Sequence, residues 1–179
     1  MSGRYQWPRL SLRAIADRWK GCPGQQTGHT YRLPSETEWE YACRAGTETP
    51  FHFGPTISSD LANYNAASIR YGWGPKGINR QETNEVGYFQ VANGFGLCDL
   101  HGNVNEWCLD HWHTNFVAVP TDGRPWINAR VQWPRVLRGG SYRSEPAHCR
   151  SAFRISNPVM MDRAPNIGFR VVCEAATGR

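Results

Sequence analysis

The sequence predicts one α+β domain with little regular secondary structure, and three observations predict it. At 179 residues the chain is long enough to bury a real core but too short for a second full domain. Thirty of its residues are Gly or Pro, which favours short elements joined by shaped loops. The clearest local element is a short capped helix, and strand-like alternation is read in short runs of the second half.

That helix begins after Pro34. Ser35-Glu36-Thr37-Glu38 reads as a capping box, with Glu36 and Glu38 in the first turn where the helix dipole favours acids. Trp39, Ala42 and Cys43 fall at i, i+3 and i+4 and are expected to bury one face, and Gly46 is expected to end the helix. From Thr47 to about Gly87 no period is sustained. The expectation there is a packed irregular region anchored by Phe51, Phe53, Tyr64, Tyr71 and Trp73. A glycine-punctuated turn from Asn93 leads into a strand over about 103–110, in which Val104, Glu106 and Cys108 alternate with Asn105, Trp107 and Leu109. Two further strands, about 135–142 and 167–173, bracket a mostly irregular loop from Ser144 to Asn166.

Composition excludes several functions. No apolar run approaches the roughly 18 residues of a membrane span, and the first residues lack a signal-peptide core. The expectation is a soluble chain without membrane insertion, cytoplasmic by default. The net charge of +5 comes from 18 Arg and only 2 Lys. Arg's planar fork suits fixed bonds to carboxylates and carbonyls, whereas nucleic-acid arms usually mix in Lys, so no nucleic-acid partner is expected.

Six cysteines without a secretory context are expected to be free thiols. Cys98-x-x-His101, Cys108-x-x-His111 and His113 have the residue types of a zinc set. The six-residue gap is short for a zinc knuckle, and on a strand Cys108 and His111 face opposite sides, so the reading is packed core and surface residues.

Four ordered motifs carry a resemblance. They are Arg32-Leu33-Pro34-Ser35-Glu36-x-Glu38-Trp39-Glu40-Tyr41-Ala42-Cys43-Arg44, Asn93-Gly94-Phe95-Gly96-Leu97-x-Asp99-x-x-Gly102-Asn103-Val104-x-Glu106-Trp107, Leu137-Arg138-Gly139-Gly140-Ser141-Tyr142, and Gly168-Phe169-Arg170-Val171-Val172. Together they resemble the formylglycine-generating-enzyme (sulfatase-modifying factor) family, which implies a C-type-lectin-like fold. The organisation this implies is a family domain over 30–175 and a tail over 176–179. Residues 1–29 do not match the family's usual first strand and helix and read as a divergent or replaced start.

The resemblance implies two metals and two activities. The family's oxidases hold copper with two cysteines just after the Gly-Gly-Ser-aromatic motif. Here the first of those positions is Ser144, with only Cys149 near the second, and a hydroxyl cannot replace a thiolate for Cu(I), so no copper is expected. The family also implies calcium held by Asp99, Gly102, Val104 and Glu106, an oxygen set suited to a hard cation. The bland alternative is that Glu106 pairs with an Arg and Asp99 caps a turn.

A branch of the same fold, the variable proteins of diversity-generating retroelements, matches better. In that branch diversified residues lie between a Leu-Arg-Gly-Gly-Ser-aromatic strand and a Gly-Phe-Arg-Val-Val strand. The resemblance then implies a ligand-binding surface within 142–166, at Tyr142, Arg143, Ser144, His148, Phe153, Ile155, Ser156, Val159, Met160, Ala164, Pro165 and Asn166. Arg138, Arg150, Arg154, Arg163 and Arg170 would be framework, and Ala152 would point inward. A protein is the expected ligand, with carbohydrate as the alternative. A diversified binding protein, a formylglycine-type oxidase and a metal-stabilised structural module are the three classes this leaves open.

Overall fold

The computed structural model describes residues 30–128, 134–157 and 164–174. Two compact units divide the chain, Leu33–Arg170 and a smaller one formed from residues before Leu33 and after Arg170. In the smaller unit β1 (Thr30–Arg32) pairs antiparallel with β6 (Val172–Glu174), and Arg32 Nε donates to Glu174 at 2.5 Å.

In the larger unit the capping box forms α1 (Glu36–Arg44) as the sequence predicts. Ser35 Oγ accepts the Glu38 N–H and Glu38 accepts the Ser35 N–H, each satisfying an amide the helix leaves unpaired. Trp39 and Cys43 are buried, whereas Ala42 is only half-buried. The helix stops one residue before the expected glycine. Ala45 takes the left-handed cap, at φ 45°, and its N–H bonds back to Tyr41. Asn93 locks this end, its Nδ2 donating to the Ala42 and Cys43 carbonyls while its Oδ1 accepts from Phe95 and Leu97.

A four-stranded mixed sheet follows, in the order β4-β3-β2-β5. Its members are β2 (Asn105–His111), β3 (Arg135–Arg138), β4 (Ile155–Asn157) and β5 (Ile167–Gly168). β2 pairs antiparallel with β3, placing Glu106 opposite Arg138 and Trp107 opposite Leu137, and pairs parallel with β5. Both faces of β2 are buried, so its alternation separates two kinds of interior rather than core from solvent. The bracketed loop is less irregular than the sequence suggests: Pro146–Cys149 makes a 3-10 turn and Ile155–Asn157 pairs with β3. Three-residue strands are too short to leave a readable period.

Two clusters form the interior. Trp39, Cys43, Leu100, Cys108 and Val136 fill the space between α1 and the sheet. Phe51, Ile57, Ala62, Tyr64, Ala66 and Cys149 fill the other, with Phe53 and Tyr71 packed against it. Trp73, expected as an anchor, is instead fully exposed. The irregular region is joined to the sheet side by the bridge between Asn63 and Gly102. Gly102 has φ 90°, and a Cβ there would lie 2.2 Å from the Asn63 carbonyl oxygen, so both conformation and space demand glycine. Among the described residues, no helix is long and apolar enough to cross a membrane.

Candidate functional site

Arg138 of β3 and Arg150 and Arg154 of the bracketed segment are tied into the scaffold. Arg138 is fully buried. Its Nη1 donates to the Phe153 carbonyl at 2.5 Å, its Nη2 to Glu40, and its Nε lies 3.6 Å from Glu36. Arg154 grips Glu36 with Nε and Nη2 at 2.5 and 2.7 Å, donates from Nη1 to the His113 carbonyl, and lies over the rings of Trp112 and Phe116. Arg150 donates to the Ala147 carbonyl at 2.8 Å. A guanidinium that meets two carboxylate oxygens at once fixes orientation as well as charge, which lets a loop hold its shape without a ladder.

Onto this frame the structure places ten of the twelve surface candidates; Val159 and Met160, like Arg163, lie outside the described residues. Arg143, Ser156 and Pro165 are exposed. His148, Phe153, Ile155 and Ala164 are half-buried, and the His148 ring stacks on Phe153 with centroids 4.4 Å apart. Three candidates serve the scaffold. Tyr142 is 4 % exposed, beneath the Arg143 guanidinium. Ser144 Oγ accepts the Ser141 N–H at 2.9 Å. Asn166 receives the Asn105 N–H on its carbonyl and donates from Nδ2 to Ser141 Oγ. Ala152, expected to point inward, is exposed. The turn after β3 accounts for Tyr142: Gly139 and Gly140, both at positive φ, bend the chain inward, and a Cβ on Gly140 would meet Cys149 Sγ at 2.7 Å.

The two carboxylates implied for calcium have protein partners. Glu106 accepts from Trp39 Nε1 at 2.7 Å and from Arg170 Nε and Nη2 at 2.5 and 2.6 Å, so both its oxygens are engaged. Asp99 Oδ2 accepts the Gly87 N–H at 2.6 Å. As the structure holds them, Asp99, Gly102, Val104 and Glu106 do not offer calcium the open carboxylate pair the resemblance implies. Copper does not fit Ser144 and Cys149 either, since that pair has one thiol and one hydroxyl. Burial pushes the Cys149 thiol up to about 12. Among the described residues no group of three or more His, Cys, Asp or Glu is placed to hold a metal.

Sequence reasoning missed a buried polar centre. His101 Nδ1 donates to the Cys149 carbonyl at 2.7 Å, which leaves Nε2 to accept the His52 N–H at 3.1 Å. Cys43 Sγ lies 3.8 Å from that Nε2 and 3.5 Å from Ser151 Oγ. A thiol beside an imidazole suggests a nucleophile, but burial drives the two apart. It raises Cys43 to about 11 and lowers His101 to about 3, so both stay neutral and the pair is structural. Glu36 and Glu40 were also missed as partners of Arg154 and Arg138, because nothing local marks a pairing across about a hundred residues.

Comparison with known proteins agrees with this architecture. The family described as "Sulfatase-modifying factor enzyme 1-like domain" matches residues 13–175. The formylglycine-generating enzyme of Mycobacterium tuberculosis is 33% identical over 165 residues, covering 82% of this chain and 52% of that protein. The chain spans about half the length of the curated relatives it matches. The structure of PvdO from Pseudomonas aeruginosa superposes with TM-score 0.77 at 32% identity, over 96% of this chain and 65% of that one. Treponema denticola variable protein 1 superposes with TM-score 0.58 at 30% identity, over 79% and 46%. With its mixed sheet, single described α-helix and arginine-tied loops, the chain belongs to the sulfatase-modifying factor enzyme 1-like family and has its α+β, C-type-lectin-like fold.

Proposed function

We propose that this chain is a recognition module of the variable-protein type, presenting the surface of segment 142–166 to a protein ligand. The observation that carries the reading is a division of labour between that segment and the strand before it. Arg138, Arg150 and Arg154 clamp its carbonyls and the acids beneath it, while Arg143, Ser156, Pro165 and the stacked His148–Phe153 pair remain at the surface. Arg143 and the half-exposed His148–Phe153 stack are of the Arg and aromatic types that dominate protein interfaces. The likeness to Treponema denticola variable protein 1 supports the same reading.

The test is genetic and then biochemical. Sequencing the DNA beside the coding region is expected to reveal a reverse transcriptase and a near-identical 3′ repeat differing at template adenines. A selected protein partner is expected to lose binding when Arg143 is truncated to Ala and Phe153 and Ile155 are made polar in the same variant; a carbohydrate ligand would be detected by the same variants on a glycan array. Retained binding by that triple variant overturns the reading.

The likeness to formylglycine-generating enzymes supports a second reading, oxidation of a sulfatase cysteine. Its donor set argues against it, because Ser144 stands where the first thiolate is needed. Conversion of a Cys-x-Pro-x-Arg peptide to the aldehyde by purified protein would establish it.

A further inference from the structure

Loop 78–90 carries a guanidinium with no acid partner. Arg80 is half-buried, its guanidinium 5.0 Å from the centre of the Phe89 ring and 5.8 Å from that of Tyr88, and those two rings meet edge to face. Its Nη1 is buried and its Nε and Nη2 are not, and none of the three has a hydrogen-bond partner among the described residues. Glu82 and Glu85, the acids of the same loop, are exposed and do not pair with it.

Two other arginines of this molecule show what such an edge accepts. Arg154 grips Glu36 and Arg170 grips Glu106 through the same pair of nitrogens, Nε and Nη2. Two parallel N–H groups match two carboxylate oxygens, and a fork already seated against aromatic rings loses less freedom when it binds. Arg80 has the ring contacts and the open edge but no carboxylate.

The loop is pinned to the body of the fold. Asn63 Nδ2 donates to the Glu82 carbonyl at 2.8 Å, and Asp99 Oδ2 accepts the Gly87 N–H. Asn103 holds Asn84 from both sides, its Oδ1 accepting the Asn84 N–H and its Nδ2 donating to the Asn84 carbonyl. The Asn103 carbonyl in turn accepts the Tyr142 N–H at 3.0 Å, so one residue ties this loop to the start of segment 142–166. There the exposed Arg143 also lacks an acid partner among the described residues, its guanidinium 5.2 Å from the centre of the Tyr142 ring.

From this geometry we infer that Arg80 receives an Asp or Glu side chain of the protein partner, its two oxygens on Nε and Nη2, which extends the recognition surface from segment 142–166 onto loop 78–90. Ile78, Val86 and Tyr88, exposed on the same loop, offer apolar contact to that partner. The identity of the occupant as a protein rests on the recognition reading above, whereas the carboxylate site itself does not, so the two are tested apart.

The probes are N-acetyl-glutamate methylamide and its uncharged isostere N-acetyl-glutamine methylamide, titrated into the intact protein while the Arg80 Nε–H and the Phe89 amide are followed by NMR. The glutamate amide is expected to shift both signals saturably with a Kd on the order of 10–50 mM, and the glutamine amide to bind at least about fivefold more weakly. Arg80→Lys keeps the charge but removes the fork, and is expected to weaken glutamate binding about fivefold or more. Tyr88→Ser, at an exposed position, is expected to weaken it about twofold with an unchanged thermal midpoint, which keeps the test open should the first variant not fold. A partner selected for binding to segment 142–166 is expected to lose about tenfold in affinity for Arg80→Lys. Failure of the recognition reading shows as retained binding by the triple variant in segment 142–166 and leaves the glutamate titration unaffected. Four results would each overturn the proposal: no saturable shift with the glutamate amide up to about 200 mM, equal binding of the glutamine amide, wild-type glutamate binding by both variants, or undiminished partner affinity for Arg80→Lys.

Discussion

Around α1 and β3 the ties are guanidinium to carboxylate, whereas from Phe51 to Gly102 they are aromatic packing and backbone hydrogen bonds. In the first region Arg138 and Arg154 converge on Glu36 and Glu40, and each acid is shared between arginines or held by two nitrogens. In the second, Phe51 packs against Phe53, Tyr71 and His101, and Asn63, Asn84 and Asn103 exchange bonds with one another's backbones. The difference teaches what each region tolerates. Removing one partner of a buried ion pair strands the other, while an aromatic cluster loses area in proportion to what is cut.

The comparison breaks most sharply at Arg138. Arg138→Ala strips a donor from the Phe153 carbonyl and counter-charge from Glu36 and Glu40, and is expected to cost about 3–5 kcal/mol in urea unfolding. A loss under about 1 kcal/mol would mean the carboxylates find water and the region is softer than the geometry implies. Arg154→Ala, which leaves Glu36 still faced by Arg138, is expected to lose about 1–3 kcal/mol.

Acid separates the two regions by a different route. Burial holds His101 at about 3 and lowers His52, so between that value and the ordinary histidine range the unfolded chain binds more protons than the folded one. Stability is therefore expected to be fully present above pH ~6.5 and to fall as the pH drops toward about 3. The urea midpoint measured at successive pH values checks this, and His101→Gln is expected to flatten the slope. An unchanged slope in that variant would assign acid sensitivity to other groups.

Gly102→Ala tests the backbone bridge. A residue other than glycine at φ 90° against the Asn63 carbonyl is expected to cost on the order of 1–3 kcal/mol with no change in salt dependence. The smallest effect concerns calcium. Because Arg170 neutralises Glu106, thermal midpoints with calcium and with a chelator are expected to agree within about 1 °C, whereas a clear drop with chelator would place calcium at Asp99 and Glu106 after all.

Much of the frame was legible in the chain. The capping box placed α1 to within two residues because its signal is local: a side chain, an amide three residues on and a periodic apolar face. The Arg excess foretold forks on carbonyls and acids, and Arg138, Arg150, Arg154 and Arg170 all make them. The motifs also carried the family, which the match over residues 13–175 bears out. The proposed recognition surface was legible only as a segment. Tyr142, Ser144 and Asn166 read as surface because polar and aromatic residues without period look alike in sequence whether they face solvent or a neighbour.

By itself, then, the sequence determined what is decided within a few residues of chain: the start of α1, the strand that became β2, the glycine turns and the donor types on offer. Only the tertiary structure decided which acid each guanidinium would find, that β2 would be buried on both faces, and that His101 would meet Cys43 and Cys149. The physical reason is range. Caps and turns are settled by bonds between near neighbours, whereas a partner about a hundred residues away is chosen by loop closure and by the packing of everything between.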